Sequence, residues 1–303
     1  MIPASYIIIR PPVEAFSVLI PITGGCSWNR CRFCNTYRNS FNNQNVLIQK
    51  YEIRELEQIY IDIDIWSKEV PQAQSVFLGG GNALSVPTAQ LASILKRIKH
   101  NFHHVRRVSC YAKVLDILQK SEEELKTLQN LGLSICYIGI ESGYNILLKY
   151  MHKGQTQKME IRAIQKLMSC GIKASLYIIL GLGGRKWSKM HAKETAKVIN
   201  AVNPTIFRFR TLNVLPGSPL EQEIKMKKFE ILTPREVLEE EFLLLSKIES
   251  KITSQFRNDH ISNYTTTESE NFGQDKEYIL QELHFLINSD EVSKWKHKNL
   301  KSM

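Results

Sequence analysis

The sequence predicts an α/β fold built on parallel strands, and two observations lead there. Apolar runs of strand length alternate with amphipathic stretches of helix length from the N-terminus to about Leu220. Repeated strand–helix units of this size require a parallel sheet with right-handed crossovers. The residues suited to chemistry also gather at the carboxyl ends of the apolar runs, the edge at which parallel α/β folds bind ligands.

The elements follow in order. Residues 15–22 read as a first strand, succeeded by a polar loop that carries cysteines. Residues 51–68 have the pattern of a helix, 75–78 of a second strand, 89–99 of a helix and 107–112 of a third strand. Residues 122–131 form a helix opened by a capping box, with Ser121 as N-cap and Glu124 three residues on. A strand at 134–140, a helix at 159–169, a strand at 173–180, a helix at 192–201 and a sixth strand at 205–214 complete the alternation. Six such units suit either a doubly wound sheet or an incomplete barrel, and spacing alone does not separate them. Beyond Pro216-Gly217-Ser218-Pro219 the pattern changes. Thr233-Pro234-Arg235-Glu236 opens a long helix with a second capping box and a proline in its first turn. Residues 257–274 lack periodicity, and 276–287 read as a last helix. Residues 1–220 are therefore expected to form the core, and 221–303 a helical extension lying on it.

Bulk properties exclude several classes. A chain of 303 residues can bury a substantial core. No apolar run approaches the ~20 residues needed to cross a bilayer. The apolar start at residues 6–9 is too short for a signal-peptide core and runs into Arg10-Pro11-Pro12. The chain reads as soluble and cytoplasmic, with no membrane partner. A net charge of +10 favours anionic partners, but the basic residues are dispersed among acids, so a solvated surface outweighs a nucleic-acid interface. Of six cysteines, Cys110, Cys136 and Cys170 stand alone in apolar surroundings and read as core.

The other three fall within nine residues, in Gly24-Gly25-Cys26-Ser27-Trp28-Asn29-Arg30-Cys31-Arg32-Phe33-Cys34-Asn35. Thiolates are soft ligands, and three on a short loop reach three corners of one iron–sulfur cube. The fourth iron is then open, as a site for chemistry requires. Three alternatives stand beside this. A zinc knuckle needs a fourth nearby ligand, and neither His nor Cys follows within forty residues. A redox dithiol would leave Cys26 unexplained. A ferredoxin-type cluster needs a remote fourth cysteine, for which Cys110 or Cys136 would have to serve.

The loop resembles that of the radical S-adenosylmethionine (SAM) superfamily, in which C-x-x-x-C-x-x-C is commonest and an aromatic residue precedes the last cysteine. Phe33 matches that residue, which the family places near the adenine. The longer first spacing here matches a variant, G-C-x-x-N-x-C-x-F-C, of a bacterial and archaeal branch. Further segments carry the resemblance. Gly79-Gly80-Gly81-Asn82 is similar to the G-G-E motif that holds the methionine amino group, with Asn82 in place of the acid. Glu141 resembles the family residue that binds the ribose, and Lys153 falls where coproporphyrinogen-oxidase-like members place a cation for the methionine carboxylate. Leu180-Gly181-Leu182-Gly183 and Leu215-Pro216-Gly217-Ser218-Pro219-Leu220 resemble the adenine-contacting segments, through Gly181 and Leu215.

Alternation in the sixth strand sets Phe207 and Phe209 on one side and Arg208 and Arg210 on the other. Ser175 and Tyr177, with Tyr137 and Glu141, occupy equivalent positions on neighbouring strands. Such an interior is too polar for a plain aliphatic layer. It reads either as a pocket for a polar substrate or as an ion-paired layer with Glu141. The run Phe256-Arg257-Asn258-Asp259-His260-Ile261-Ser262-Asn263-Tyr264 is similar to a segment of the same branch, and His260 joins the substrate candidates.

The resemblance implies a partial (β/α)6 TIM-like barrel, a 4Fe–4S cluster on Cys26, Cys31 and Cys34, and bound S-adenosylmethionine cleaved to a 5′-deoxyadenosyl radical. It implies sensitivity to oxygen, a small-molecule substrate and a low-potential electron donor such as a flavodoxin or ferredoxin. No second cysteine cluster and no domain ahead of the first strand are read, which disfavours auxiliary clusters and a cobalamin domain. An RNA-modifying member of the superfamily, which would carry an RNA-binding module, and a noncatalytic iron–sulfur carrier are the competing functions.

Overall fold

The computed structural model describes residues 9–37 and 50–297; residues 6–8 of the apolar start lie outside them. The chain divides into two compact units, one of Met1–Asn29, Thr36–Ile138 and Arg162–Ala174, the other of Arg30–Asn35, Gly139–Ile161 and Ser175–Met303. Cys26 thus belongs to the first, and Cys31 and Cys34 to the second.

The first unit begins with β1 (Val18–Pro21), and β2 (Thr23–Gly24) pairs antiparallel with β3 (Glu52–Ile53). There follow α1 (Leu56–Glu69), β4 (Ser75–Gly79), α2 (Thr88–Asn101), β5 (Arg107–Ala112), α3 (Val114–Gln119), α4 (Glu122–Asn130) and most of β6 (Leu133–Glu141). Strands β1, β4, β5 and β6 are parallel neighbours in that order, with Ile20 opposite Leu78, Leu78 opposite Cys110 and Cys110 opposite Cys136. Each strand lies beside its successor, with none of the order reversal of a doubly wound sheet. Val76, Phe77 and Leu78 are all fully buried, so both faces of the sheet are covered, as parallel strands require. The predicted box at α4 is present: Glu124 N–H donates to Ser121 Oγ, and the Glu124 carboxylate accepts from Ser121 N–H. Such a cap contributes about 1 kcal/mol.

Tyr137 has a different task from the one expected of it. Its hydroxyl donates to the fully buried Glu14 at 2.5 Å, where Ser109 Oγ (2.9 Å) and Arg107 Nη2 (3.0 Å) also converge. Only partners of this kind make a buried carboxylate tolerable, and this network absorbs Tyr137.

The second unit takes α5 (Asn145–Tyr150), the start of α6 (Gln157–Ser169), most of β7 (Lys173–Leu180), α7 (Gly184–Val202) and β8 (Ile206–Thr211). After them come α8 (Pro219–Lys225), α9 (Pro234–Lys247), β9 (Gln255–Arg257), β10 (Glu268–Ser269) and α10 (Phe272–Ile287). Strand β8 pairs parallel with β7, and Thr233 with Glu236 closes the predicted box at α9. The segment without periodicity is not irregular throughout: β9 adds parallel to β8, and β10 adds antiparallel to β9. Strands of two or three residues are too short to show alternation, and side chains hold them instead. Asn263 Nδ2 donates to Phe209 O at 2.9 Å, and Thr211 N–H donates to Ser262 Oγ at 3.1 Å. Phe207 stacks on Phe256 at 5.0 Å and meets Phe272 edge-on at 5.3 Å. Among the described residues no helix is long and apolar enough to cross a membrane.

Candidate active site

In the first unit the loop before Cys26 is fastened to the end of β4. Gly81 N–H donates to Gly25 O at 3.1 Å, and a Cβ on Gly81 would stand 2.3 Å from that oxygen and 3.0 Å from Cys26 Cα. Gly80, at φ +121°, lies so close to Thr23 that a Cβ would meet its Oγ1 at 2.1 Å. The glycines thus let two stretches of backbone touch and fix where the loop leaves the sheet. Lys113 Nζ sits 5.1 Å over the Trp28 ring, within cation–π range.

Asn82 is fully buried, and its Nδ2 donates to Ser27 Oγ at 2.9 Å and to the Asp116 carboxylate. A carboxylate only accepts, so this contact fixes which way the amide points. Asn82 Oδ1 is left buried with no partner among the described residues. Asp116 on α3 is 8% exposed, and no cation lies within ion-pair distance of it among them. Sequence reasoning missed Asp116. Its only signal was an acid soon after the end of the third strand, which is ordinary until folding sets it beside Asn82.

In the second unit the other half of the loop is held from two sides. Arg32 N–H donates to Met151 O and Leu220 N–H donates to Arg32 O, at 3.0 and 3.1 Å. Asn35 Nδ2 donates to Pro216 O at 2.7 Å. The Arg32 guanidinium pairs with Glu223 at 2.8 Å and lies 4.8 Å over the Tyr150 ring. Phe33 packs on Leu147, Met151, Leu182, Leu220 and Phe229. The structure therefore brings together the cysteine segment, the end of α5 and the Pro-Gly-Ser-Pro-Leu run. Cys26, Cys31 and Cys34 are half-buried, and none of them is in a disulfide.

Glu141 and Lys153 are each other's partner, Nζ to Oε1 at 2.9 Å, with side chains 12% and 13% exposed. Glu141 takes φ 63°, and Gly139 makes room for the pair, since a Cβ there would lie 2.1 Å from Glu141 Oε1. The arginine layer therefore does not draw on Glu141. Gly181 N–H donates to Glu240 Oε1 at 2.6 Å, and burial pushes Glu240 up to about 7. His191 Nε2 lies 3.6 Å from Glu240, but burial lowers the imidazole to about 4, so the contact is not an ion pair at neutral pH. Gly181 also borders a cavity of about 120 Å³ lined by Thr211, Leu212, Asn213, Val214 and His297. Leu215 follows this stretch, half-buried, and accepts from Ser218 N–H at 3.1 Å.

Arg208 and Arg210 lie on the face of β8 opposite the phenylalanines. Arg208 Nε donates to Ser175 Oγ at 3.3 Å, and its Nη1 is 3.5 Å from Asp259. The Arg210 guanidinium lies 4.6 Å over the Tyr177 ring, whose hydroxyl burial pushes up. His260 stands close enough for the charge of Arg210 to lower its pKa.

Comparison with known proteins fits this geometry. The profile of the radical SAM superfamily matches residues 20–195. The heme chaperone HemW of Bacillus subtilis is 22% identical over 236 residues, spanning 77% of this chain and 60% of HemW. An uncharacterised protein of Methanocaldococcus jannaschii is 31% identical over 85 residues, 28% of this chain and 26% of that protein. The chain thus spans less than two thirds of either relative. Among solved structures, the radical SAM methyltransferase TsrM of Kitasatospora setae is similar with a TM-score of 0.57 at 15% identity, over 89% of this chain and 63% of TsrM. Coproporphyrinogen III oxidase HemN of Escherichia coli gives 0.52 at 15% identity, over 76% of this chain and 52% of HemN. At such identities the likeness shows the fold, an α/β partial barrel. With more than half of its length matched by the superfamily profile, the chain belongs to the radical SAM superfamily.

Proposed function

We propose that the chain is a radical SAM enzyme in which Cys26, Cys31 and Cys34 hold three irons of a 4Fe–4S cluster and leave the fourth open to S-adenosylmethionine. The observation that carries this is the fastening of the cysteine loop at both ends to segments bearing the other motifs. Gly25 is bonded to Gly81 in the first unit, and Arg32 to Met151 and Leu220 in the second. The donor set fits the cluster, because none of the three cysteines is in a disulfide and cysteine thiolates are the ligands iron–sulfur centres take. Among the described residues no three or more His, Cys, Asp or Glu are gathered for a single metal ion. Reduction of the bound cluster supplies the electron that splits S-adenosylmethionine into methionine and a 5′-deoxyadenosyl radical, which takes hydrogen from the substrate.

The protein's part is to hold and orient. Asn82 Oδ1 and the Asp116 carboxylate offer buried acceptors for the methionine ammonium. Lys153 is the cation for the methionine carboxylate and Glu141 the acceptor for the ribose, and their mutual bond orders both side chains beforehand. Phe33, Gly80, Gly181 and Leu215 complete the cofactor contacts. Arg208, Arg210 and Tyr177, from a catalytic core of residues 1–220, take a polar small molecule together with His260 from the extension of residues 221–303. A flavodoxin or ferredoxin of low potential is the reductant, and an open iron makes the enzyme sensitive to air in the cytoplasm. The carrier alternative needs a fourth thiol. Cys110 and Cys136 instead face each other at 3.9 Å in the core, and Cys170 donates to Glu122 O at 3.7 Å.

Anaerobic reconstitution is expected to load about four irons per chain and to give, on reduction, a cluster signal that shifts when S-adenosylmethionine is added. A signal indifferent to S-adenosylmethionine would return the protein to the carrier class.

A further inference from the structure

Strand β8 delivers two arginines to one buried face, and they are not equivalent. Arg208 is engaged by Ser175 and by Asp259, the one carboxylate within ion-pair distance of either arginine among the described residues. Arg210 lies with its guanidinium carbon 4.6 Å from the centre of the Tyr177 ring. Its Nε is buried and has no hydrogen-bond acceptor among the described residues. The face thus holds two guanidinium charges against one carboxylate.

His260 supplies a second unmet donor. Its Nδ1 accepts from Ser262 N–H at 3.2 Å, so the proton of the neutral ring is on Nε2. The ring stays neutral around pH 7, since burial and then the charge of Arg210 lower it to about 4. Nε2 is itself buried and without a partner among the described residues. Buried donors are nearly always satisfied in folded proteins, so each that is not asks what it serves. Here both unmet groups are N–H donors, and they stand beside surplus positive charge. A guanidinium is a planar fork of N–H donors that matches a carboxylate or a phosphate.

We propose that Arg210 and His260 form a subsite for an oxyanion group of the substrate, a carboxylate or a phosphate, with Arg208 and Asp259 setting its charge and Tyr177 packed against Arg210. This deepens the substrate reading above and rests on it. The tail run is thereby explained in two halves. Asn258, Ser262 and Asn263 bond to neighbouring backbone and side chains, while Asp259 lies 3.5 Å from Arg208 and His260 is held by Ser262, which is itself bonded to Thr211 next to Arg210.

The test uses the full-length protein and two probes, glutarate and inorganic phosphate, titrated against chloride at constant ionic strength. The readouts are the dissociation constant and the imidazole NMR signals of His260. One of the probes is expected to bind saturably and to move those signals. Arg210→Met is expected to weaken binding at least ~10-fold, the loss of a charge-assisted pair. His260→Gln tests the second donor without touching the arginines and is expected to weaken binding as well. Arg257→Met, at an arginine paired with Glu270 instead, leaves binding unchanged. Preference for glutarate assigns a carboxylate, and preference for phosphate a phosphate ester. Absence of saturable binding by either probe, or equal binding by wild type, Arg210→Met and His260→Gln, overturns the proposal. Cleavage of S-adenosylmethionine with dithionite, measured in parallel, reports on the radical reading separately. Cleavage without anion binding sinks the subsite alone; anion binding without cleavage sinks the radical reading alone.

Discussion

Asp116→Asn is expected to raise the dissociation constant for S-adenosylmethionine about 10- to 100-fold while leaving the fold intact. In the proposed site Asn82 takes the place of the acid in the motif its segment resembles, and a neutral amide alone would meet an ammonium with half the strength of a charged partner. Folding supplies the missing charge from α3, because Asn82 Nδ2 donates to the Asp116 carboxylate and the amide oxygen is left open. A hydrogen bond to a charged group contributes roughly 1.5–3 kcal/mol, and ~1.4 kcal/mol is a tenfold change in affinity. An asparagine at position 116 still offers Asn82 an acceptor, so the loss falls on the ligand rather than on packing. Anaerobic equilibrium binding measures it. An analogue with a keto group in place of the amino group should bind wild type and variant alike. Equal affinity of both proteins for S-adenosylmethionine itself would remove Asp116 from the site.

Gly81→Ala is expected to act on the cluster rather than on the ligand. The new Cβ would stand 2.3 Å from Gly25 O and 3.0 Å from Cys26 Cα, both backbone atoms with no rotamer in which to escape. The 3.1 Å bond from Gly81 N–H to Gly25 O would be lost as the strands part. Overpacking of this kind costs about 1–3 kcal/mol. Because the displaced backbone carries Cys26, iron loading after reconstitution should fall below half of wild type. Thermal unfolding should come several degrees earlier, at roughly 2–4 °C per kcal/mol for a chain of this size. Normal loading together with an unshifted melting point would show that the loop does not depend on this contact.

Much of this arrangement was legible before folding. Strands 107–112 and 173–180 agree with the structure residue for residue, because each is a short, mostly buried run bounded by polar helical stretches. Both capping boxes read correctly because their chemistry is local, contained in four residues. What escaped was non-local. Asp116 and Asn82 are 34 residues apart, and nothing in either neighbourhood marks them as partners. Tyr137 shared the pattern of a pocket residue, yet Glu14, 123 positions away, claims its hydroxyl. The short β9 and β10 left no periodicity to read, and their polar run makes sense only once β8 lies beside it. Alternation did separate Arg208 and Arg210 from the phenylalanines, but not which arginine was engaged. That depends on Ser175 and Asp259, brought in by other segments.

The central claim is that three thiols on one loop make a cluster that cleaves S-adenosylmethionine, and one measurement meets it directly. Wild type and Cys31→Ala are reconstituted anaerobically with iron and sulfide, reduced with dithionite and given S-adenosylmethionine, and 5′-deoxyadenosine is quantified. The account predicts the nucleoside from wild type and none above background from Cys31→Ala. Equal yields from the two proteins, or a loaded wild-type cluster that releases no nucleoside, would contradict it.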